Sequence, residues 1–93
     1  MKKNYKMRYF KVENTITQLA VQMKLFELGY KWITGESDLY IVAVMKYIDV
    51  DCDGFLAYSS ICGNSTHKFC RLTTLLNEED YLVAERKLNI MKL

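Results

Sequence analysis

An acidic segment near the middle of the chain has the residue types and spacing that open an EF-hand calcium loop. It reads Asp49-Val50-Asp51-Cys52-Asp53-Gly54. Carboxylates at loop positions one, three and five converge on the cation, and the glycine at position six allows a sharp turn. The twelfth position is Ser60, whereas an EF-hand places there a glutamate that coordinates with both oxygens. We therefore predict a hairpin turn that binds calcium weakly or not at all, and keep calcium binding as an alternative function.

Three cysteines and one histidine supply ligand types that zinc accepts. Cys52, Cys62, His67 and Cys70 lie within nineteen residues, but no two of the cysteines form a C-x-x-C pair. This spacing and the odd number of cysteines also argue against a disulfide framework. A buried cysteine commonly behaves as a small hydrophobic residue, and we expect Cys70 to point into the core. A zinc site is thus a second alternative, and the leading prediction contains no metal and no other cofactor.

Motifs for catalysis are missing from the sequence. It has no glycine-rich phosphate loop, no G-x-S-x-G and no H-E-x-x-H. One histidine near several cysteines is not a nucleophile signature. We therefore predict a protein that is not an enzyme, and assign no catalytic residue.

Two groups of residues combine cations with aromatic rings, a combination that suits phosphate binding and base stacking. The N-terminal group contains Lys2, Lys3, Tyr5, Lys6, Arg8, Tyr9, Phe10 and Lys11. The second group contains Tyr30, Lys31, Trp32, His67, Lys68 and Arg71. Its last five residues are the candidate binding site for an anionic or nucleotide ligand. Because the net charge is only +2, we predict salt-sensitive, non-specific nucleic-acid binding at most, with a weak nucleic-acid-binding regulator as a further alternative.

Residue patterns predict the elements that must position these groups. The first half of the chain reads as a strand over Met7–Val12, a helix over Thr15–Leu28 capped by Asn14, and a strand over Tyr30–Ile33. In the second half we favour a strand over Leu39–Val50, a hairpin turn at Asp51–Gly54, strands over Phe55–Tyr58 and Phe69–Leu75, and a helix capped by Asn77. The order β-α-β-β-β-β-α predicts a single α+β domain over residues 1–93, with a mostly antiparallel sheet of three to five strands and two helices.

The run Gln22–Trp32 (QMKLFELGYKW) resembles a recurring class of small bacteriophage proteins. In that class a helix ending in L-F-x-L-G-Y-x-W leads into strands of the form y-i-x-v-d-x-d-G-x-l-x-y and a later i-T-l-x-x-L segment. Tyr47–Tyr58 fits the middle motif, and Arg71–Leu75 fits the last. The resemblance implies an accessory phage protein. Some proteins of that kind inhibit host defence by binding a host protein or by sequestering a nucleotide signal. It implies no catalytic residue.

Length and composition set the remaining expectations. The longest apolar run, Leu39–Met45, is too short to span a bilayer, and no apolar region follows the basic N-terminus as in a signal peptide. We therefore expect a cytoplasmic protein, in the host cytoplasm if phage-encoded. The phage resemblance, in turn, implies a host defence protein or a nucleotide second messenger as its partner. Because 51% of the 93 residues are apolar, we also predict a homo-oligomer. Its predicted contact is on the C-terminal helix, through Tyr81, Leu82, Leu88, Ile90 and Met91.

Overall fold

The computed structural model describes residues 4–92. In that range the chain forms β1 (Arg8–Lys11), α1 (Thr15–Glu27), β2 (Lys31–Trp32), β3 (Tyr47–Val50), β4 (Phe55–Ser59), β5 (Lys68–Phe69), α2 (Leu72–Leu75) and α3 (Glu78–Met91). The α+β class predicted from the sequence is confirmed. The predicted order of elements also holds, except that a short extra helix, α2, follows the last strand.

The strands form one mixed sheet in the order β2-β4-β3-β1-β5. The two central pairings, β1 with β3 and β3 with β4, are antiparallel and each aligns four residue pairs. The two outer pairings, β1 with β5 and β2 with β4, are parallel and each aligns only two. The prediction of a mostly antiparallel sheet is therefore correct for the longer pairings, and the short edge strands are the exception.

Side-chain caps fix the ends of the two long helices. The Asn14 side chain accepts a hydrogen bond from the Thr17 amide at 2.9 Å, which begins α1 as predicted. The amide of Tyr30 donates to the Leu25 carbonyl and that of Gly29 to the Phe26 carbonyl. This is a Schellman end, with Gly29 at φ +99. At α3, Asn77 and Asp80 exchange side-chain to backbone hydrogen bonds in a capping box.

The core lies between one face of the sheet and the helices. Phe10, Ile48, Val50 and Leu56 point to this face because side chains alternate along a strand, and all four are fully buried. They join Leu19 and Leu25 of α1 and Ala84 and Leu88 of α3 in a single hydrophobic cluster. Each large side chain buried in this way contributes about 1.5–3 kcal/mol to the free energy of unfolding.

The predicted strand over Leu39–Val50 is wrong in its first two thirds. Only Tyr47–Val50 is β-strand. Lys46 still donates to the Ser59 carbonyl of β4, whereas residues 39–45 lie along α1 outside the sheet. Two buried glutamines of α1 supply the hydrogen bonds that a strand would have supplied. Gln22 accepts from the Tyr40 amide at 2.8 Å and donates to its carbonyl at 2.7 Å. Gln18 donates to the Met45 carbonyl at 3.0 Å. The glutamine amides satisfy part of this backbone, so the segment packs on α1 without joining the sheet. Met45 is its one buried residue, whereas Tyr40, Ile41 and Val44 are exposed.

The predicted strand over Phe69–Leu75 is also mostly wrong. The structure pairs only Lys68–Phe69 with β1 and then begins α2 at Leu72. Leu72, Leu75 and Leu76 have the three- and four-residue spacing of one helical face, and the last two are buried in the core. Cys70 is half-buried against the same core, as expected. Among the helices of residues 4–92, none is both long and apolar enough to cross a membrane.

Candidate functional site

The five residues predicted to bind a ligand lie at the two opposite edges of the sheet. Lys31 and Trp32 form β2, whereas Lys68 is in β5, flanked by His67 and Arg71. Four inter-strand steps of about 4.8 Å put the two edges roughly 19 Å apart. One chain therefore does not bring all five residues to one pocket. A ligand that contacts the whole set would require two copies of the chain, and this binding site stays a prediction.

The acidic segment forms a hairpin turn, as predicted. The Gly54 amide donates to the Asp51 carbonyl at 3.1 Å, and the Asp51 amide donates to the Phe55 carbonyl at 2.9 Å. Gly54 has φ +86, as the last residue of a three-residue hairpin loop requires. One carboxylate oxygen of Asp51 accepts from the amides of Asp53 and Phe55 at 2.8 and 2.9 Å. This carboxylate therefore stabilises the turn.

The four zinc-ligand candidates are distributed over different parts of the fold. Cys52 is exposed in the hairpin loop, and Cys62 is exposed beyond the opposite end of β4. His67 lies with its Nδ1 atom 2.5 Å from an Asp49 carboxylate oxygen, on the sheet face opposite the helices. Within residues 4–92, no group of three or more histidine, cysteine, aspartate or glutamate side chains is placed to hold a metal ion.

Two of the three N-terminal aromatic rings predicted beside the cations belong to the core. Tyr5 and Phe10 are buried, and the Tyr5 hydroxyl donates to the Thr74 carbonyl at 3.1 Å. Only Tyr9 is half-exposed, and it packs against the rings of Tyr47 and Phe69. Lys2 and Lys3 lie outside the described residues. Base stacking by this group is thus limited to Tyr9, and weak nucleic-acid binding stays a prediction.

An apolar cleft of about 390 Å³ opens at the β2 edge of the sheet, and we call it the Trp32 cleft. Its walls come from the end of β2 and the turn after it, from the segment held by the two glutamines, and from β4. They consist of Trp32, Ile33, Thr34, Tyr40, Val42, Leu56, Ala57 and Tyr58. This volume lies within the range of ligand pockets, and apolar walls with few polar groups are typical of them. We therefore take this cleft as the candidate site.

Trp32 organises the rings of this cleft. Its indole is only 6% exposed and meets Tyr40 and Tyr58 at centroid distances of 5.7 and 6.4 Å, with interplanar angles of 77° and 89°. Phe26 of α1 also packs edge-on, at 6.4 Å. The indole N–H donates to the Asp38 carbonyl at 2.8 Å. The tryptophan is therefore fixed by the core, whereas the two tyrosines, 42% and 49% exposed, present their rings to the solvent.

The mouth of the Trp32 cleft is acidic. The Tyr40 hydroxyl donates to a Glu36 carboxylate oxygen at 3.1 Å. This hydrogen bond, together with the negative charges of Glu36 and Asp38, raises the pKa of Tyr40 above its ordinary value. Among the described residues, the walls contain no lysine or arginine, and neither Glu36 nor Asp38 forms an ion pair.

Sequence reasoning included Trp32 among the candidate site residues and left out its neighbours in the cleft. Both tyrosines were predicted only as strand residues, Tyr40 in the strand over Leu39–Val50 and Tyr58 in the strand over Phe55–Tyr58. Two residues could have indicated the cleft in the sequence. Tyr58 is the last tyrosine of the middle motif, and Ile33 is a large apolar residue next to a turn. In the structure the Ile33 side chain is 70% exposed. Large apolar side chains at such positions are common at binding sites when they cluster.

Exposed apolar side chains also lie on α3. Of the residues predicted to form an oligomer contact, Leu88 is buried and Tyr81 is half-buried, so both belong to the core of the single chain. Leu82, Ile90 and Met91 are exposed. The predicted oligomer could therefore use only part of the predicted set, and its existence stays a prediction.

Comparisons with known proteins give this chain no relative: no family model, no curated protein and no solved structure matches it.

Proposed function

We propose that this chain is a non-enzymatic binding protein of the phage type, which counteracts a host defence system by binding a host protein through the Trp32 cleft. The observation that carries this proposal is the cleft itself. Two half-exposed tyrosines and the largely exposed Ile33 surround a fixed tryptophan at the edge of the sheet. Aromatic residues that are held rigidly contribute most of the binding energy at many protein interfaces.

The phage-type assignment is supported by the resemblance and by where its motifs meet. Phe26 and Trp32 belong to the L-F-x-L-G-Y-x-W motif, and Tyr58 is the last residue of the middle motif. All three rings belong to the aromatic cluster at the cleft. Aromatic residues from two of the three motifs thus meet at the candidate site.

A protein partner fits the Trp32 cleft better than a nucleotide signal does. Phosphate groups need cations or a row of free backbone amides, but the mouth carries Glu36 and the walls are apolar. His67, Lys68 and Arg71 lie at the other edge of the sheet. Sequestration of a nucleotide remains the second candidate, through a site shared by two copies in which Lys31 of one chain faces these cations of the other.

Phage plating on bacterial hosts tests the proposal. Each host in a panel carries one defence system and either expresses the chain or does not. We expect expression to restore plaque formation on at least one host, and the corresponding purified defence protein to bind the chain. The Ile33→Asp substitution replaces the most exposed apolar side chain of the cleft wall with a shorter, hydrated carboxylate. The loss of this apolar contact should abolish both effects.

The matched control is Ile61→Asp, because Ile61 is 83% exposed and lies outside the cleft walls. This variant should behave like the wild type. Failure of the chain to restore plaques on any host would count against the defence role. Equal activity of the two variants would show that the Trp32 cleft is not the binding surface.

A further inference from the structure

On the basis of the proposed function, we infer that the Trp32 cleft takes an arginine side chain, presented by an extended segment of the partner protein. Three features of the described residues lead to this ligand: the ring geometry, the unpaired carboxylates at the mouth and the free part of the β4 edge.

The rings provide faces for a cation. The face of an aromatic ring carries partial negative charge, and it attracts a guanidinium group placed within about 6 Å of the ring centroid. Tyr40 and Tyr58 both stand nearly perpendicular to the Trp32 indole and both line the cleft. Because the indole is fixed by its hydrogen bond to Asp38 and by Phe26, the walls are preorganised and lose little freedom on binding.

The carboxylates provide charge complementarity. Glu36 is held at the mouth by the Tyr40 hydroxyl, and the charge of Asp38 also acts on that hydroxyl. Neither carboxylate has an ionic partner among residues 4–92, and no lysine or arginine of this range lines the cleft. A carboxylate beside aromatic rings favours arginine over lysine, because the planar guanidinium stacks on a ring while it donates two hydrogen bonds to one carboxylate.

The edge of the sheet explains why the arginine comes from an extended segment. β2 pairs with β4 only at Lys31 with Phe55 and Trp32 with Leu56. The Ile33 amide still reaches the Leu56 carbonyl at 3.2 Å, but Tyr58 lies beyond the paired part of this edge. In an antiparallel ladder, successive residues direct their backbone groups to opposite sides. Since the Asp51 amide donates to the Phe55 carbonyl on the β3 side, Tyr58 directs its own backbone groups to the β2 side. An added strand pairs with such an edge.

Trp32 is the only tryptophan of the chain, so its fluorescence and its indole N–H resonance report on the cleft directly. The probes are the Nα-acetyl amides of arginine, of its neutral isostere citrulline and of lysine. We expect saturable binding of the arginine amide, and binding at least about threefold weaker for the other two. The Glu36→Gln variant should weaken arginine binding by a similar factor and leave citrulline binding unchanged. Glu85→Gln, an exposed charge removal on α3, is the control.

Equal binding of the arginine and citrulline amides, or an unchanged arginine affinity in Glu36→Gln, would overturn the inference. Equal binding of the lysine amide would overturn the choice of arginine. These outcomes are separable from failure of the proposed function. If Ile33→Asp abolishes plaque restoration while the arginine amide does not bind, only the arginine inference is wrong. If the amide binds and Ile33→Asp still restores plaques, the cleft binds arginine but does not serve the proposed function.

Discussion

The indole of Trp32 and the phenol of Tyr58 meet edge to face, with their ring centroids 6.4 Å apart and their planes at 89°. Trp32 ends the short edge strand β2, whose register partner on β4 is Leu56. Tyr58 is two residues further along β4 and lies on the same face of the sheet as Leu56. Because β2 stops at Trp32, no neighbouring strand covers Tyr58 on that side, and its ring remains half-exposed. The early end of one strand thus creates the aromatic wall of the Trp32 cleft.

The Tyr40 hydroxyl reports on the charge at the mouth of this cleft. Its hydrogen bond to Glu36 and the nearby carboxylate charges disfavour the phenolate and raise the pKa of Tyr40. Replacing Glu36 with glutamine removes the charged acceptor, so we expect this pKa to fall toward the ordinary value of a tyrosine. NMR titration of the Tyr40 Cζ resonance measures the change. The ring resonances of Tyr58 serve as the internal control, and an unchanged Tyr40 pKa would contradict the assigned hydrogen bond.

Gln22 supports the wall of the cleft from α1. Its buried side-chain amide forms both hydrogen bonds to the backbone of Tyr40. The Gln22→Leu substitution nearly keeps the size of the side chain, but the N–H and C=O of Tyr40 lose their hydrogen-bond partner. We expect this loss to lower the free energy of unfolding by about 2–3 kcal/mol. Urea denaturation measures this loss, and hydrogen exchange at the Tyr40 amide should become faster. A variant as stable as the wild type would show that this segment does not depend on the glutamine.

The ion pair between Lys24 and Asp80 joins α1 to α3. Its N–O distance is 3.1 Å, and about four fifths of each side chain is shielded from solvent. The hydrogen bond to Asp80 raises the pKa of Lys24. Because the pKa of Lys24 is higher in the folded than in the unfolded chain, the ion pair stabilises the fold fully at a pH below the unfolded-state pKa of about 10.4. This stabilisation is lost as the pH rises through the folded-state pKa.

Lys24→Met should therefore lower the free energy of unfolding by about 1 kcal/mol at neutral pH. The difference from the wild type should shrink above about pH 10.5. Urea denaturation at pH 7, 9 and 11 measures it. Lys87→Met, which removes an exposed cation from α3, is the control and should cost little at any of these pH values. A pH-independent difference would indicate that Lys24 acts through packing alone.

Local signals in the sequence predicted the two long helices, α1 and α3, and the hairpin, because their determinants are near in sequence. Asn14, Gly29 and Asn77 cap helices through contacts within a few residues, and Gly54 makes the turn in which it stands. The segment after Leu39 was misassigned because its conformation depends on Gln18 and Gln22, which are distant in sequence and were counted only as part of a helix. The periodicity of an apolar run does not depend on whether a neighbouring strand or a glutamine side chain forms hydrogen bonds to its backbone, so periodicity cannot distinguish the two cases.

The candidate site was predicted only in part for a similar reason. Composition placed Lys31, Trp32, His67, Lys68 and Arg71 in one set, but strand order separates the two halves of that set, and strand order follows from long-range pairing. Tyr40 and Tyr58 reach Trp32 only through that pairing and through the glutamines. The motif residues Trp32 and Tyr58 were visible in the sequence, whereas their mutual contact was not.

The exposed apolar side chains of α3 are the contact through which we predict self-association. Ile90 is 64% exposed, and Leu82 and Met91 of the same helix are exposed as well. If these side chains form a symmetric contact, light scattering at micromolar concentration gives about twice the chain mass of 11.0 kDa. Ile90→Asp should then produce the monomer, whereas Ile61→Asp should not. A monomeric wild type would remove the shared-site explanation for nucleotide binding.

At Gly63 the loop of residues 60–67 packs closely on the sheet face opposite the helices. A β-carbon at this position would lie 2.4 Å from two ring carbons of Tyr9, which is far inside van der Waals contact. The Tyr9 ring has little freedom to move, because the rings of Tyr47 and Phe69 pack against it at 6.0 and 5.6 Å. Gly63→Ala must therefore lift the loop, and we expect it to lower the free energy of unfolding by about 1–3 kcal/mol.

Two control variants test whether the lower free energy of unfolding comes from the contact with the Tyr9 ring or from a sensitivity of the loop to any substitution. Ser65→Ala, at an exposed position of the same loop, should change the free energy of unfolding by less than about 0.5 kcal/mol. In a Tyr9→Val background the ring is absent, so the added methyl group has space and the cost of Gly63→Ala should largely disappear. Lifting the loop should also separate His67 from Asp49, which shifts the His67 ring resonances. If Gly63→Ala costs the same with and without the Tyr9 ring, close packing on that ring is not what requires a glycine at this position.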